Sequence, residues 1–333
     1  MATIGNTNLT LTDWAKAQDP DGSVAAVVEL LSMRNTLIDD ATFVEGNLPT
    51  GHQYVQRTGL PDVYYRKINQ GVPSSKATTA QVTEEVAMLE ARGELDVDLA
   101  ALNGNTAQYR LQQSAPFIEA MRQKVEYNMF YGETNGKPEE FNGLGIRYNS
   151  LSGASSSRNV INGGGSGSDN ASIWLVCWSA SGGVSGVFPK GSKAGIEHTA
   201  RQAAEDVTDS TGNKFEAYVD LFKWKHGLVV EDWRQAARIC NIDVSNLETG
   251  SNAADLIQLM GKATRAIENK AKGNCYFYMN REMIGYLENQ AYSNVKAGGG
   301  LTYKNFSGEE IPVFRGIPIH QTDALITTEA AIS

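Results

Sequence analysis

Proline and cysteine are scarce in this chain, with 9 prolines and 3 cysteines in 333 residues. So little proline excludes a proline-rich disordered chain, and the 33 glycines point to many tight turns instead. Cys177, Cys240 and Cys275 are far apart and odd in number. That spacing argues against a disulfide framework and predicts three reduced, buried thiols in a protein made in a cytoplasm. No apolar run reaches the length of a membrane span, and the polar first ten residues lack the basic and apolar parts of a secretory signal. Positive charge is also short, at 29 Lys and Arg against 38 Asp and Glu, a formal charge of -9. A surface of that sign does not wrap nucleic acid by neutralising phosphates.

Catalytic motifs are missing as well. Gly136-Lys137 and Gly261-Lys262 lack the earlier glycine and the hydroxyl residue of a phosphate-binding loop. Residues 163–168 lack the third glycine of a dinucleotide fingerprint and read as a flexible linker. No Gly-x-Ser-x-Gly elbow occurs. His52, His198, His226 and His320 stand singly, without metal-ligand spacing. The pairs Glu84-Glu85, Glu139-Glu140 and Glu309-Glu310 are adjacent, so their carboxylates point apart and form no local acid/base pair. Residues 209–213 read as a hairpin turn in preference to a cation site. The expectation is a protein that is not an enzyme and uses no cofactor or metal. The alternative is a β-rich hydrolase or glycan-binding protein whose site is assembled from distant residues.

Helical spacing recurs along the chain. Val24, Val27, Val28, Leu31 and Ile38 share one face after the turn Asp19-Pro20-Asp21-Gly22-Ser23. A helical turn at residues 96–102 precedes a long helix predicted over residues 114–131. Ser114 caps it, Pro116 takes its first turn, and Phe117, Met121, Val125 and Met129 recur every fourth residue, with Ala120 and Tyr127 widening the stripe. Gly132 stops it. Two more helices are predicted at residues 253–269 and 281–291, the second capped by Asn280.

Strand patterns fill much of the rest. Tyr54-Val55-Gln56-Arg57 and Val63-Tyr64-Tyr65-Arg66-Lys67-Ile68 are β-prone, residues 69–75 are turn-rich, and residues 78–86 form a return arm. Arms this polar make a poor core, and a two-stranded ribbon needs a surface to lie on. Tyr54, Arg57, Tyr64, Tyr65, Arg66 and Lys67 are therefore the candidate interface residues, because aromatic and arginine side chains join contact area to directed polar ends. An ordinary solvated hairpin would carry the same residues. Residues 173–178 and 184–188 read as a hairpin around Ser181-Gly182-Gly183. Residues 215–219 and 228–230 read as a second hairpin, and residues 275–279 as a buried strand. Residues 311–319 alternate as one strand, and Pro312 and Pro318 assign it to a sheet edge or place the prolines at strand ends.

One resemblance ties these features together. The closing Phe314-Arg315-Gly316-Ile317-Pro318-Ile319 with Asp323-Ala324-Leu325, and the order of amino arm, two-stranded loop, long helix and the Pro138 to Gly143-Leu144 segment, resemble tailed-phage major capsid proteins of the Hong Kong 97 type. Further segments are similar to coat proteins of short-tailed phages, including a Bordetella phage: residues 46–52, 168–174 and 188–195, and Lys223-Trp224 with Asp232-Trp233-Arg234. The resemblance implies an α+β capsid fold. Residues 1–49 would be an amino-terminal arm, 50–95 the extended loop, and 96–150 the spine helix and peripheral domain. Residues 151–295 would be mainly the axial domain and 296–333 the closing strands. It implies a coat protein that self-assembles into hexamers and pentamers of an icosahedral head, located in the virion capsid. The implied partners are other copies of itself, a portal, a scaffolding or cement protein, and double-stranded DNA held inside without sequence-specific binding; no membrane is involved. Lys67 and Lys76 lie where relatives carry a crosslinking lysine, and no crosslink is expected. An encapsulin-like cellular shell is the second reading of the same fold.

Overall fold

Residues Asn170–Trp178 are buried at every position, and a strand buried on both faces needs neighbours on both edges. The computed structural model describes residue 33 and residues 36–102, 106–208, 211–250, 252–293, 301–306 and 309–333. The helix predicted from Val24, Val27, Val28 and Leu31 lies outside these. The strands are β1 (Phe43–Glu45), β2 (Gly51–Gly59), β3 (Thr78–Glu85), β4 (Ala87–Asp96), β5 (Val160–Asn162), β6 (Asn170–Trp178), β7 (Val184–Phe188) and β8 (Ile196–Ala200). They continue as β9 (Glu205–Thr208), β10 (Lys214–Val230), β11 (Ala236–Asp243), β12 (Asn274–Met279), β13 (Leu301–Phe306), β14 (Glu309–Phe314) and β15 (Ile317–Gln321). The helices are α1 (Leu37–Asp40), α2 (Val97–Ala101), α3 (Thr106–Tyr131), α4 (Leu144–Arg147), α5 (Val244–Thr249), α6 (Leu256–Ala266) and α7 (Arg281–Ser293). The chain forms two units, one containing residues 88–126 and 195–225 and the other residues 35–87, 127–194 and 226–333.

In the larger unit β6 lies between antiparallel β11 and β12, and the sheet continues from β12 to parallel β15, then β14 and β13. Both edges of β6 are thereby occupied, which is why the predicted hairpin with residues 184–188 does not form. Strand β7 instead pairs with parallel β1 and with the end of β10, touching β6 only at Trp178 and Val184. The β6–β12 register sets Cys177 opposite Cys275, and the two are joined as a disulfide. Only Cys240 is the free buried thiol expected of all three, and burial pushes it up to about 11. Asp255 caps α6 through the Gln258 N–H at 2.9 Å, and Asn280 accepts from the Glu282 N–H at the start of α7. Leu259, Met260, Ala263, Met283 and Leu287 from these helices close over Leu175, Ile239, Phe277 and Phe314 of the sheet.

The proline-bearing stretch near the carboxyl end is two strands, not one. Arg315 (φ 49°) and Gly316 (φ 84°) form a two-residue turn with both residues left-handed, which folds β15 back on β14. Strand β15 is flanked by β14 and β12, so it is not an edge. Pro318 is tolerated because it is the second residue of the strand. Beyond it, Arg238 Nη2 meets Glu329 Oε2 at 2.8 Å with both side chains 6% exposed. Tyr131 Oη donates to Glu329 Oε1 at 2.5 Å, and Ser172 Oγ bonds Glu329 Oε2. Burial and then Glu329 drive the Tyr131 hydroxyl upward, keeping it a donor.

In the smaller unit the first half of β10 pairs with β9 and then β8, so the expected pairing of residues 215–219 with 228–230 is replaced by one 17-residue strand. No turn interrupts residues 220–227, and the antiparallel partner of residues 214–217 is β9; the turn read at residues 209–213 lies partly outside the described residues. The long helix begins at Thr106, not Ser114. Tyr109 packs with Leu95, Leu99 and Ala100, and this burial extends the helix back past its expected cap. Ser114 Oγ donates to the Arg110 carbonyl at 2.8 Å, and Pro116 sits inside the helix. Met121, Val125 and Met129 are buried as the spacing predicts, whereas Tyr127 is 38% exposed. Gly132 ends the helix at a close approach, since a Cβ there would lie 2.5 Å from the carbonyl oxygens of Asn128 and Phe141.

Candidate intersubunit interface

Strands β2 and β3 form a separate two-stranded ribbon, in register from Gly51–Glu85 to Arg57–Thr79. Its foot is fixed inside the larger unit. Arg147 reaches Glu84 with Nη1 to Oε1 at 2.5 Å and Nη2 to Oε2 at 2.7 Å, a two-pronged pair with Glu84 7% exposed. Burial disfavours the Arg147 charge, but the bonds to Glu84 outweigh it and raise its pKa. Tyr54 Oη donates to the Val230 carbonyl at 2.9 Å and lies 3.3 Å from Glu84 Oε1. Burial first and Glu84 second push the Tyr54 phenol upward. Gln56 Nε2 donates to the Glu231 carbonyl at 2.7 Å. Asn47 brackets Gln53, accepting its N–H at 2.7 Å and donating to its carbonyl at 2.6 Å.

Above Gly59 the character changes. Residues 60–77 contain no strand, so the predicted β-prone Val63–Ile68 stretch stays irregular: among the described residues no strand pairs with it, and the ladder ends at Gly59–Thr78. The turn-rich reading holds, with Asn69 at φ 67° and the Gln70 N–H bonded to the Lys67 carbonyl at 3.2 Å. Ser75 Oγ donates to the Asp62 carbonyl at 2.7 Å across the tip. Leu60 is 78% exposed, Val63 89%, Tyr65 109% and Ile68 89%, an apolar patch left uncovered by the described residues.

The six candidate residues thus divide. Tyr54 belongs to the foot. Tyr64, Tyr65, Arg66 and Lys67 share the tip, all exposed, and Arg57 lies between foot and tip, also exposed. Among the described residues Arg57, Arg66 and Lys67 have no ion-pair partner. Sequence reasoning missed Glu84, Arg147 and Asn47, the side chains that aim the ribbon. Glu84 carried a signal only as part of an acidic pair, and nothing local linked it to Arg147, 63 positions away. Among the described residues no group of three His, Cys, Asp or Glu is arranged to hold a metal, and no helix is long and apolar enough to cross a membrane.

The ribbon thus joins an anchored foot to an exposed apolar tip. The family model described as major capsid protein GP7 matches residues 19–333. The matching chain in the near-atomic cryo-EM structure of bacteriophage Epsilon15 is 32% identical, with a TM-score of 0.79 over 100% of this chain and 99% of that one. The bacteriophage JBD30 capsid is 10% identical over 89% of this chain and 92% of that one, with a TM-score of 0.47. Comparison with curated proteins finds no match. This chain belongs to the major capsid protein GP7 family: it is a structural coat protein of a tailed-phage head, not an enzyme, with a Hong Kong 97-like α+β fold and its place in the virion capsid.

Proposed function

We propose that this coat protein assembles into hexamers and pentamers of an icosahedral head, with the ribbon of each copy laid over a neighbour. The exposed tip carries the reading: four apolar side chains at 78% exposure or more gain nothing in an isolated chain. Each contact is weak, but a closed shell repeats it in every copy, and multivalency makes the sum strong. In this reading residues 1–49 are the arm, 50–95 the extended loop, 96–150 and 296–333 the peripheral domain and 151–295 mainly the axial domain. The head confines double-stranded DNA without gripping it, as the formal charge of -9 favours, and meets a portal and a scaffolding or cement protein. Affinity to short-tailed phages, including a Bordetella phage, is supported by segments such as Lys223-Trp224 and Asp232-Trp233-Arg234. No crosslink through Lys67 or Lys76 is needed. Both are exposed, whereas an isopeptide bond needs a desolvated base.

The test is electron microscopy and analytical ultracentrifugation of the protein expressed alone and with a scaffolding partner. Shells, tubes or capsomers are expected. A stable monomer under both conditions overturns the reading, and ladders above the monomer on denaturing gels of mature particles overturn the absence of a crosslink.

A further inference from the structure

Strands β6 and β12 pair from Asn274–Trp178 to Tyr278–Trp174, and Cys177 faces Cys275 within that register. The register does not depend on sulfur chemistry. Trp178 Nε1 donates to Tyr278 Oη at 2.8 Å, and Tyr278 Oη donates to Asp40 Oδ2 at 2.9 Å, so side chains stitch the strands as well as backbone bonds. Cys177 also shares a buried cluster with Leu175, Ile267 and Phe277. The two sulfurs are therefore held opposite each other whether or not a bond joins them.

The two positions differ in access. Cys177 is fully buried, whereas Cys275 is the second residue of β12 and partly exposed. Its Sγ lies 3.8 Å from the Lys270 carbonyl oxygen, beside the exposed single turn Lys270–Lys272. A small molecule in solution meets Cys275 first. Cys240 is buried too, and burial pushes its thiol up to about 11. A thiol held so firmly protonated is a poor nucleophile, which leaves Cys177 and Cys275 as the reactive pair.

A cytoplasm keeps thiols reduced, while a virion spends its life outside one. We propose that Cys177 and Cys275 form a redox lock: both are thiols while the coat protein folds and assembles in the host cytoplasm, and they join once the particle meets an oxidising medium. The oxidant is a low-molecular-weight disulfide of the glutathione class. The Cys275 thiolate attacks one of its sulfurs, releasing one small thiol and leaving a mixed disulfide on Cys275. Cys177 then displaces the second small thiol. Two protein thiols are oxidised, one small disulfide is reduced to two thiols, and the two protein protons pass to the released thiolates. The lock spans 98 positions, a stretch that includes residues 195–225 of the smaller unit. Joining residues so far apart restricts the unfolded chain, so each subunit is strengthened after assembly with its strand register unchanged. The lock rests on the virion-capsid assignment and not on the ribbon contact.

Wild-type protein supplies the first test. Cells expressing it are quenched in acid, their thiols are alkylated under denaturing conditions, and the cysteine peptides are read by mass spectrometry. All three cysteines should carry the alkyl group. Native protein purified under reductant and then given oxidised glutathione should convert to a linked Cys177–Cys275 pair with Cys240 still alkylatable. Its melting temperature should rise by about 5 °C. A link already complete in the quenched cells overturns the lock, as does a link that forms only after unfolding and refolding, or one that involves Cys240. Cys275→Ser should show no rise with the same oxidant, and a rise equal to that of wild type also overturns the lock. The thiol count can be made on subunits or shells, so its outcome stands apart from the assembly test above.

Discussion

The ribbon tip and strand β6 are opposite solutions to the same problem. Every residue of β6 is buried and both its edges are paired, so its neighbours within the chain complete it. Residues 60–77 are apolar in places too, yet all are exposed and unpaired by strands. An apolar stretch that evolves toward burial within its own subunit acquires partners on both edges. One with an anchored foot and a bare tip is, in the function proposed above, completed by a neighbouring copy. Tyr54 and Tyr65 differ in the same way: the first spends its hydroxyl on Val230 and Glu84, while the second touches water.

Substitutions sharpen the contrast. Arg238→Ala should have the largest effect, because it leaves the buried Glu329 carboxylate without its cation; a loss of about 3–5 kcal/mol in denaturant unfolding is expected. Reducing the Cys177–Cys275 link, whose members are 98 residues apart, should lower stability by about 2–4 kcal/mol, and Cys275→Ser should reproduce that shift and abolish its response to reductant. At the foot, Tyr54→Phe removes one hydrogen bond to a backbone carbonyl and should cost about 1 kcal/mol, with slower assembly read by light scattering. At the tip, Val63→Ser with Tyr65→Ser should leave subunit stability within about 0.5 kcal/mol of wild type while reducing shell yield. If the tip pair destabilises the subunit as strongly as Arg238→Ala does, the distinction between self-completed and partner-completed regions fails.

Much of the helical framework was legible. The fourfold spacing of Met121, Val125 and Met129 marks a buried stripe because one face of a helix meets the core whatever lies opposite. The cap at Asn280 follows from local hydrogen-bonding chemistry. Strand partners were less accessible. The two expected hairpins at residues 173–188 and 215–230 were assigned by proximity along the chain, but β11 and β12 compete for the edges of β6 from 58 or more positions away. Of the candidate interface, the tip residues were readable as aromatic and cationic side chains in a turn-rich loop. The anchors Glu84, Arg147 and Asn47 were not, since each looks like an ordinary polar surface residue until the fold brings its partner near.

Side-chain chemistry at short range was therefore written in the linear order: helix faces, local caps and the turn-rich character of residues 69–75. Which strands lie side by side and which cysteines meet were decided by packing. Pairing energy depends on what occupies the opposite edge, and that occupant is chosen by the whole chain competing for a limited set of buried places.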